Sequence, residues 1–180
     1  MSKIKENSGV LVQGHIKIHD PESGAVFVNK RNAIHYENMS IALAESVANQ
    51  GQGFISSMAF GNGGTSVDPT GIITYLTPNS TGTNASLYNQ TFTKIVDDRS
   101  VSNLDPQRNK IETRHVNGTN YTDVVVTCLL DYGEPNGQDA TDTASASDSL
   151  YVFDELGLVS YASVSYIHLR AHETVVHLVC

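Results

Sequence analysis

The residues of this chain that could do chemistry are carboxylates, histidines and one glycine-rich loop, and their spacing decides what each is worth. His15 and His19 alternate with Ile16, Lys17 and Ile18, which puts both rings and the Lys17 ammonium on one polar strand face. Without a thiol or carboxylate partner such a pair reads as a solvated face, not a metal site. His35 and Glu37 have the types for a proton-transfer pair, but no nucleophile or orienting partner stands near them in sequence. Asp139, Asp142 and Asp148 offer oxygens to Ca²⁺ without the fixed spacing of a calcium loop. Asp97, Asp98, Asp123 and Glu134 are the acids from which a glycosidase would draw its pair, and nothing in their spacing singles out two. His168 and His172, at i and i+4, suggest a metal-binding helix, with His177 beyond them. No catalytic, cofactor-binding or metal-ligating residue is therefore assigned, and the expectation is a protein that is not an enzyme.

The glycine-rich loop, Gly61-Asn62-Gly63-Gly64-Thr65, invites a phosphate-binding reading, since exposed backbone N–H groups can cradle an anion. It lacks the closing Gly-Lys-Ser/Thr, and Val67-Asp68-Pro69-Thr70-Gly71 continues as loop where a helix would have to begin. It reads as a tight turn, its glycines supplying positive φ at a sharp exit from the apolar stretch that begins at Phe54. Ile55, Met58 and Phe60 in that stretch face one way or are covered on both sides.

The elements around these residues follow from periodicity. Residues 15–19 and 25–30 flank Asp20-Pro21-Glu22-Ser23-Gly24 and read as a β-hairpin. Tyr36, Met39, Leu43 and Val47, with Ala42 and Ser46 beside them, fall three and four apart. This predicts one amphipathic helix over about residues 34–49, with Asn38 or Ser40 able to cap a shorter version and Gly51 ending it. Residues 66–91 read as loop-rich, with a strand at 72–76. So long a loop is covered by a neighbouring subunit or is an exposed contact surface. Strands are expected at 88–96 and 111–116, with a loop at 102–109. Val124-Val125-Val126-Thr127-Cys128-Leu129-Leu130 is the strongest strand, continuous enough to be covered on both faces. Cys128 there reads as a buried small thiol. A turn at 133–137, a solvated loop at 138–149 and a strand at 150–153 complete the order.

The whole chain sets outer bounds. Its 180 residues suit one domain with a real core. Charged residues are 17%, with 19 acidic against 11 basic for a net charge of −8, so no phosphate-backbone footprint exists and nucleic acid is not an expected partner. Two cysteines make neither a disulfide framework nor a metal spacing. No apolar run is long enough for a spanning helix, and residues 1–7 lack the apolar core of a secretion signal; no membrane is expected. Asn-x-Ser/Thr triplets at Asn38, Asn79, Asn84, Asn89, Asn117 and Asn120 read as chance matches in a chain rich in Asn, Ser and Thr. The fold class is mainly β, a β-sandwich-like domain with an N-terminal hairpin and one helix, over residues 1–163.

Beyond residue 163 the composition changes, and residues 164–180 resemble a tail found on unrelated translated assemblies. They are expected to be non-native, the natural chain being cut short there. Three earlier blocks carry a different likeness: residues 24–39 with Asn32-Ala33-Ile34-His35; Met58-Ala59-Phe60-Gly61-Asn62-Gly63-Gly64-Thr65; and Gly133-Glu134-Pro135-Asn136-Gly137 followed by Glu155-Leu156-Gly157-Leu158. Together, over roughly residues 14–160, they resemble virion structural proteins of tailed bacteriophages, of the tail, baseplate and tail-fibre-associated type of contractile-tailed phages. In that family the Glu-x-Gly-Leu turn is followed by further strands. The resemblance implies a module whose work is assembly, as a homo-oligomer or with other virion proteins, made in the host cytoplasm and incorporated in the virion. It implies no catalytic residues and no cofactor. The alternative is a carbohydrate- or cell-surface-binding β module, for which Tyr75, Tyr88 and Tyr121 would supply stacking faces.

Overall fold

In a computed structural model the described residues are 9–51, 53–79, 85–131, 134, 153–161 and 166–167. Strand β1 (His15–His19) turns at Asp20, whose carboxylate accepts the Glu22 N–H, and returns as β2 (Val26–Arg31). The pair is antiparallel, with Ile16 opposite Lys30 and Ile18 opposite Val28, and a bulge follows at His19. Alternation then sends Ile16, Ile18 and Val28 inward and His15, Lys17 and Arg31 outward, as the sequence predicts.

The helix α1 spans Tyr36–Val47. Its cap is His35, not Asn38 or Ser40: the His35 ring is fully buried, and Nδ1 accepts the Asn38 N–H at 3.2 Å. The helix ends where Asn49 takes a left-handed φ of 54° and Gln50 N–H reaches the Glu45 carbonyl at 2.9 Å. Its orientation corrects the sequence expectation. Ala42 and Asn38 are buried, whereas Tyr36, Leu43 and Val47 are exposed. The small Ala42 lets the helix axis come close to the sheet, so the larger residues one face around are left outside.

The central sheet runs β10-β9-β3-β6, all antiparallel: β3 is Ile55–Gly61, β6 Gln90–Ile95, β9 Glu155–Ser160 and β10 Tyr166–Ile167. Phe60 stands opposite Phe92 and Leu156, and Met58 opposite Leu158, so these apolar side chains share one face. Ile16, Val28, Phe153 and, at its margin, Cys128 and Leu130 pack on the Phe60 end. Ala42, Met39 and Val126 pack on the Leu158 end. The β1–β2 ribbon and α1 thus form a layer over one sheet face, which is the sandwich-like stacking of a mainly β fold with one helix among the described residues. The other face is narrow. Ala59 is fully buried there, and Leu87 lies against Gly157, where an added Cβ would meet it at 3.5 Å.

Two further hairpins leave this body. Strands β4 (Thr65–Val67) and β5 (Ile73–Tyr75) pair across a turn at Asp68, whose carboxylate accepts the Thr70 and Ile72 N–H groups; the sequence reading had loop at β4. Strands β7 (Lys110–His115) and β8 (Thr122–Thr127) form a ribbon of their own. The valine-rich β8 is not covered on both faces: Val124 is exposed and only Val125 and Val126 are half-buried. Coverage on both sides falls instead on the C-terminal half of β3 and on β9, the latter at residues expected to form a turn. Residues 102–109 are turns, as expected, and Asn103 holds them by donating to the Asp97 and Asn109 carbonyls. The expected turn at 133–137 (apart from Glu134), the candidate Ca²⁺ ligands Asp139, Asp142 and Asp148, residues 150–152 of the expected strand, and His168, His172 and His177 lie outside the described residues.

Candidate functional site

Pairing of β9 with β3 places Gly61 opposite Glu155, and this register brings the glycine-rich loop onto two consecutive carboxylates. Glu155 is 1% exposed. Its Oε1 accepts the N–H groups of Gly63 at 3.1 Å and Asn89 at 2.8 Å, and its Oε2 accepts that of Tyr88 at 2.9 Å. Asp154 accepts the Gly64 N–H at 2.8 Å and the Thr65 hydroxyl. Backbone bonds close the unit: Asp154 N–H to the Gly61 carbonyl at 3.0 Å, and Asn62 N–H to the Asn89 carbonyl at 3.1 Å.

This explains the glycines in a way that corrects the sequence reading. Among the described residues the left-handed glycines are Gly24, Gly51, Gly71 and Gly118, none of them in the loop. Gly61 and Gly63 are needed for close approach instead. A Cβ on Gly61 would sit 2.4 Å from the Asn89 carbonyl oxygen and 2.6 Å from Glu155 Oε1, and one on Gly63 would sit 2.7 Å from Asn89 N. The loop is an anion cradle after all, but the anions are the chain's own carboxylates. The clamp fastens residues 61–65, 88–89 and 154–155, joining two of the blocks that carry the virion resemblance.

The other candidate residues are dispersed. His15 Nε2 lies 2.7 Å from Asn29 Oδ1 on the ribbon's outer face. His35 caps α1, while Glu37, two residues on in the first turn, is exposed. Asp97 is buried and accepts the Arg99 N–H and Nε–H at 3.0 and 3.2 Å and the Tyr161 hydroxyl at 3.2 Å. Burial pushes its pKa up, but these hydrogen bonds and the Arg99 charge outweigh it and hold the carboxyl below its ordinary value. The Arg99 guanidinium in turn lies over Phe54, which packs on Tyr161. Asp98 and Asp123 are exposed, and Glu134 pairs with Lys94. None of these hydrogen bonds and ion pairs joins two of the four acids singled out as glycosidase candidates. Beside Lys94, burial pushes the Cys128 thiol up to about 12, which keeps it protonated and unreactive at neutral pH. Among described residues, no group of three His, Cys, Asp or Glu is placed to hold a metal. Tyr88 donates its hydroxyl to the Thr77 carbonyl, two residues past Tyr75, whereas Tyr121 sits in the β7–β8 turn.

Sequence reasoning expected a contact surface over residues 66–91; what it missed is the outer surface of the helix and of the β7–β8 ribbon. Among the described residues 12 apolar side chains are buried, and 18 large ones are exposed; the fold turns more of them out than in. They gather at the helix (Tyr36, Leu43 and Val47, the last 88% exposed), at the β4–β5 hairpin (Val67, Ile72, Ile73) and at the β7–β8 end (Val116, Tyr121, Val124). The signal in the sequence was Ala42 itself, a small residue inside an otherwise large-residue stripe.

No family model matches the chain, and no curated protein or solved structure matches it.

Proposed function

We propose that the chain is a virion structural protein of a tailed bacteriophage and acts through protein–protein contacts in the tail, baseplate or fibre-attachment region. The observation that carries this reading is the excess of exposed over buried large apolar side chains, grouped on one helix and two projecting hairpins. Such groups gain free energy when a neighbouring subunit covers them, at about 25 cal/mol per Å² of apolar surface removed from water. The clamp adds support of a second kind. Two short blocks behind the resemblance, 58–65 and 155–158, are a single hydrogen-bonded unit, so their joint occurrence has a structural reason.

The test is co-expression of the chain with the products of the genes that flank its own, followed by mass measurement and electron microscopy of what co-purifies. A complex of fixed stoichiometry with tail or baseplate proteins is the expected result. A chain that enters no complex, but binds a panel of immobilised glycans through Tyr75 and Tyr88, overturns the reading in favour of a carbohydrate-binding module.

A further inference from the structure

We propose that the layer formed by β1–β2 and α1 is a contact between two copies of this chain related by a two-fold axis. The inference rests on the assembly reading above and names one of its surfaces. Lys94, Arg99, Arg108, Lys110 and Arg114 each pair with a carboxylate of the same chain, and Lys30 also has a partner. Among the described residues, Lys17 and Arg31 are the two cations with none, and both lie on the outer face of the β1–β2 ribbon, with His15 opposite Arg31. In a chain of net charge −8, collecting the unpaired positive charge on one face prepares that face for an acidic partner.

The same layer carries what those cations would meet. Glu37, on the first turn of α1, is exposed and makes no ion pair among the described residues. Beside it run Tyr36, Leu43 and Val47 at i, i+7 and i+11, all exposed. The ribbon presents Val26 and Phe27 at its bulge, also exposed. Because the ribbon and the helix pack on the two ends of the same sheet face, their outer surfaces both point away from it. A two-fold rotation then lays the ribbon of one copy on the helix of the other, and the reverse at the same time. Val26, Phe27 and the Lys17 and Arg31 stems cover the apolar stripe, while their charges reach Glu37. The surface is self-complementary, as a two-fold contact requires.

The test is sedimentation of the full chain over a concentration series. The natural sequence is expected to dimerise, more weakly as salt is raised. Lys17→Glu with Arg31→Glu is expected to raise the dissociation constant at least about tenfold. Adding Glu37→Lys to that pair restores it to within about threefold of the original. Val47→Ser weakens the dimer without changing the melting temperature, because the side chain is exposed. A double variant that still dimerises, or a triple variant that stays apart, overturns the inference. So does a natural chain that is monomeric at every concentration yet joins the complex with flanking gene products, an outcome that leaves the assembly reading standing. A monomer that joins no complex overturns both.

Discussion

At the scale of single residues, the balance at Glu155 is between burying a carboxylate and supplying it with donors. Taking an isolated carboxylate out of water is prohibitive, yet Glu155 is 1% exposed with three backbone N–H groups aimed at its two oxygens. Charge-assisted bonds of this kind are about twice as strong as neutral ones. Glu155→Gln keeps the shape, but the amide nitrogen must face a donor where an oxygen accepted one. A loss of about 3 kcal/mol in urea unfolding is expected, and an unchanged midpoint would show the clamp to be dispensable. Asp97 gives a pH dependence whose sign follows from its depressed pKa. Its stabilising contribution is whole above the ordinary carboxyl value of 3.8, where both folded and unfolded chains are ionised. It declines as the pH falls below that value and the unfolded chain takes up the proton first, and it is lost once the folded carboxyl is also protonated. Asp97→Asn is expected to remove this part of the acid limb in a stability–pH series.

At the scale of elements, caps and small residues set what the helix and strands do. His35 supplies the acceptor for the Asn38 N–H from inside the core. His35→Asn keeps an acceptor at the cap, while His35→Ala loses it and leaves a void. The alanine variant is expected to lose about 2 kcal/mol more than the asparagine variant in parallel urea melts; equal losses would mean that the ring matters only by its volume. The hairpin at residues 15–31 and the existence of α1 were legible in the sequence, because strict alternation and a three-and-four spacing each admit one reading. The face of α1 was not, since hydrophobicity marks Leu43 and Val47 while close packing selects Ala42. Nor was the identity of the central strands. The valines of β8 look like a covered strand, but Val124 is exposed while Val126 packs on the Leu158 end of the sheet; β9 opens on Glu155, just after Asp154, and looks like a turn. Its burial depends on donors supplied from residues 63–65 and 88–89, far away in sequence, and no local pattern records that pairing. For the same reason the loop's glycines read as turn formers, when the contact they permit lies across the sheet.

At the scale of the whole molecule, the groups that look like a site are spent on holding the chain together, and large apolar groups are left outside. The central claim is that these outer surfaces, not the glycine loop, are where the chain meets other molecules. Amide hydrogen exchange tests it most directly, on the chain alone and in its complex with flanking gene products. The expected result is new protection on complex formation at the β4–β5 and β7–β8 hairpins, and protection of α1 that rises with the concentration of the chain alone. The amides of Gly63, Gly64, Tyr88 and Asn89 should already be as protected in the free chain as those of β3, and indifferent to added inorganic phosphate. Unprotected loop amides that slow on adding phosphate, with helix and hairpins unchanged on complex formation, would contradict the account.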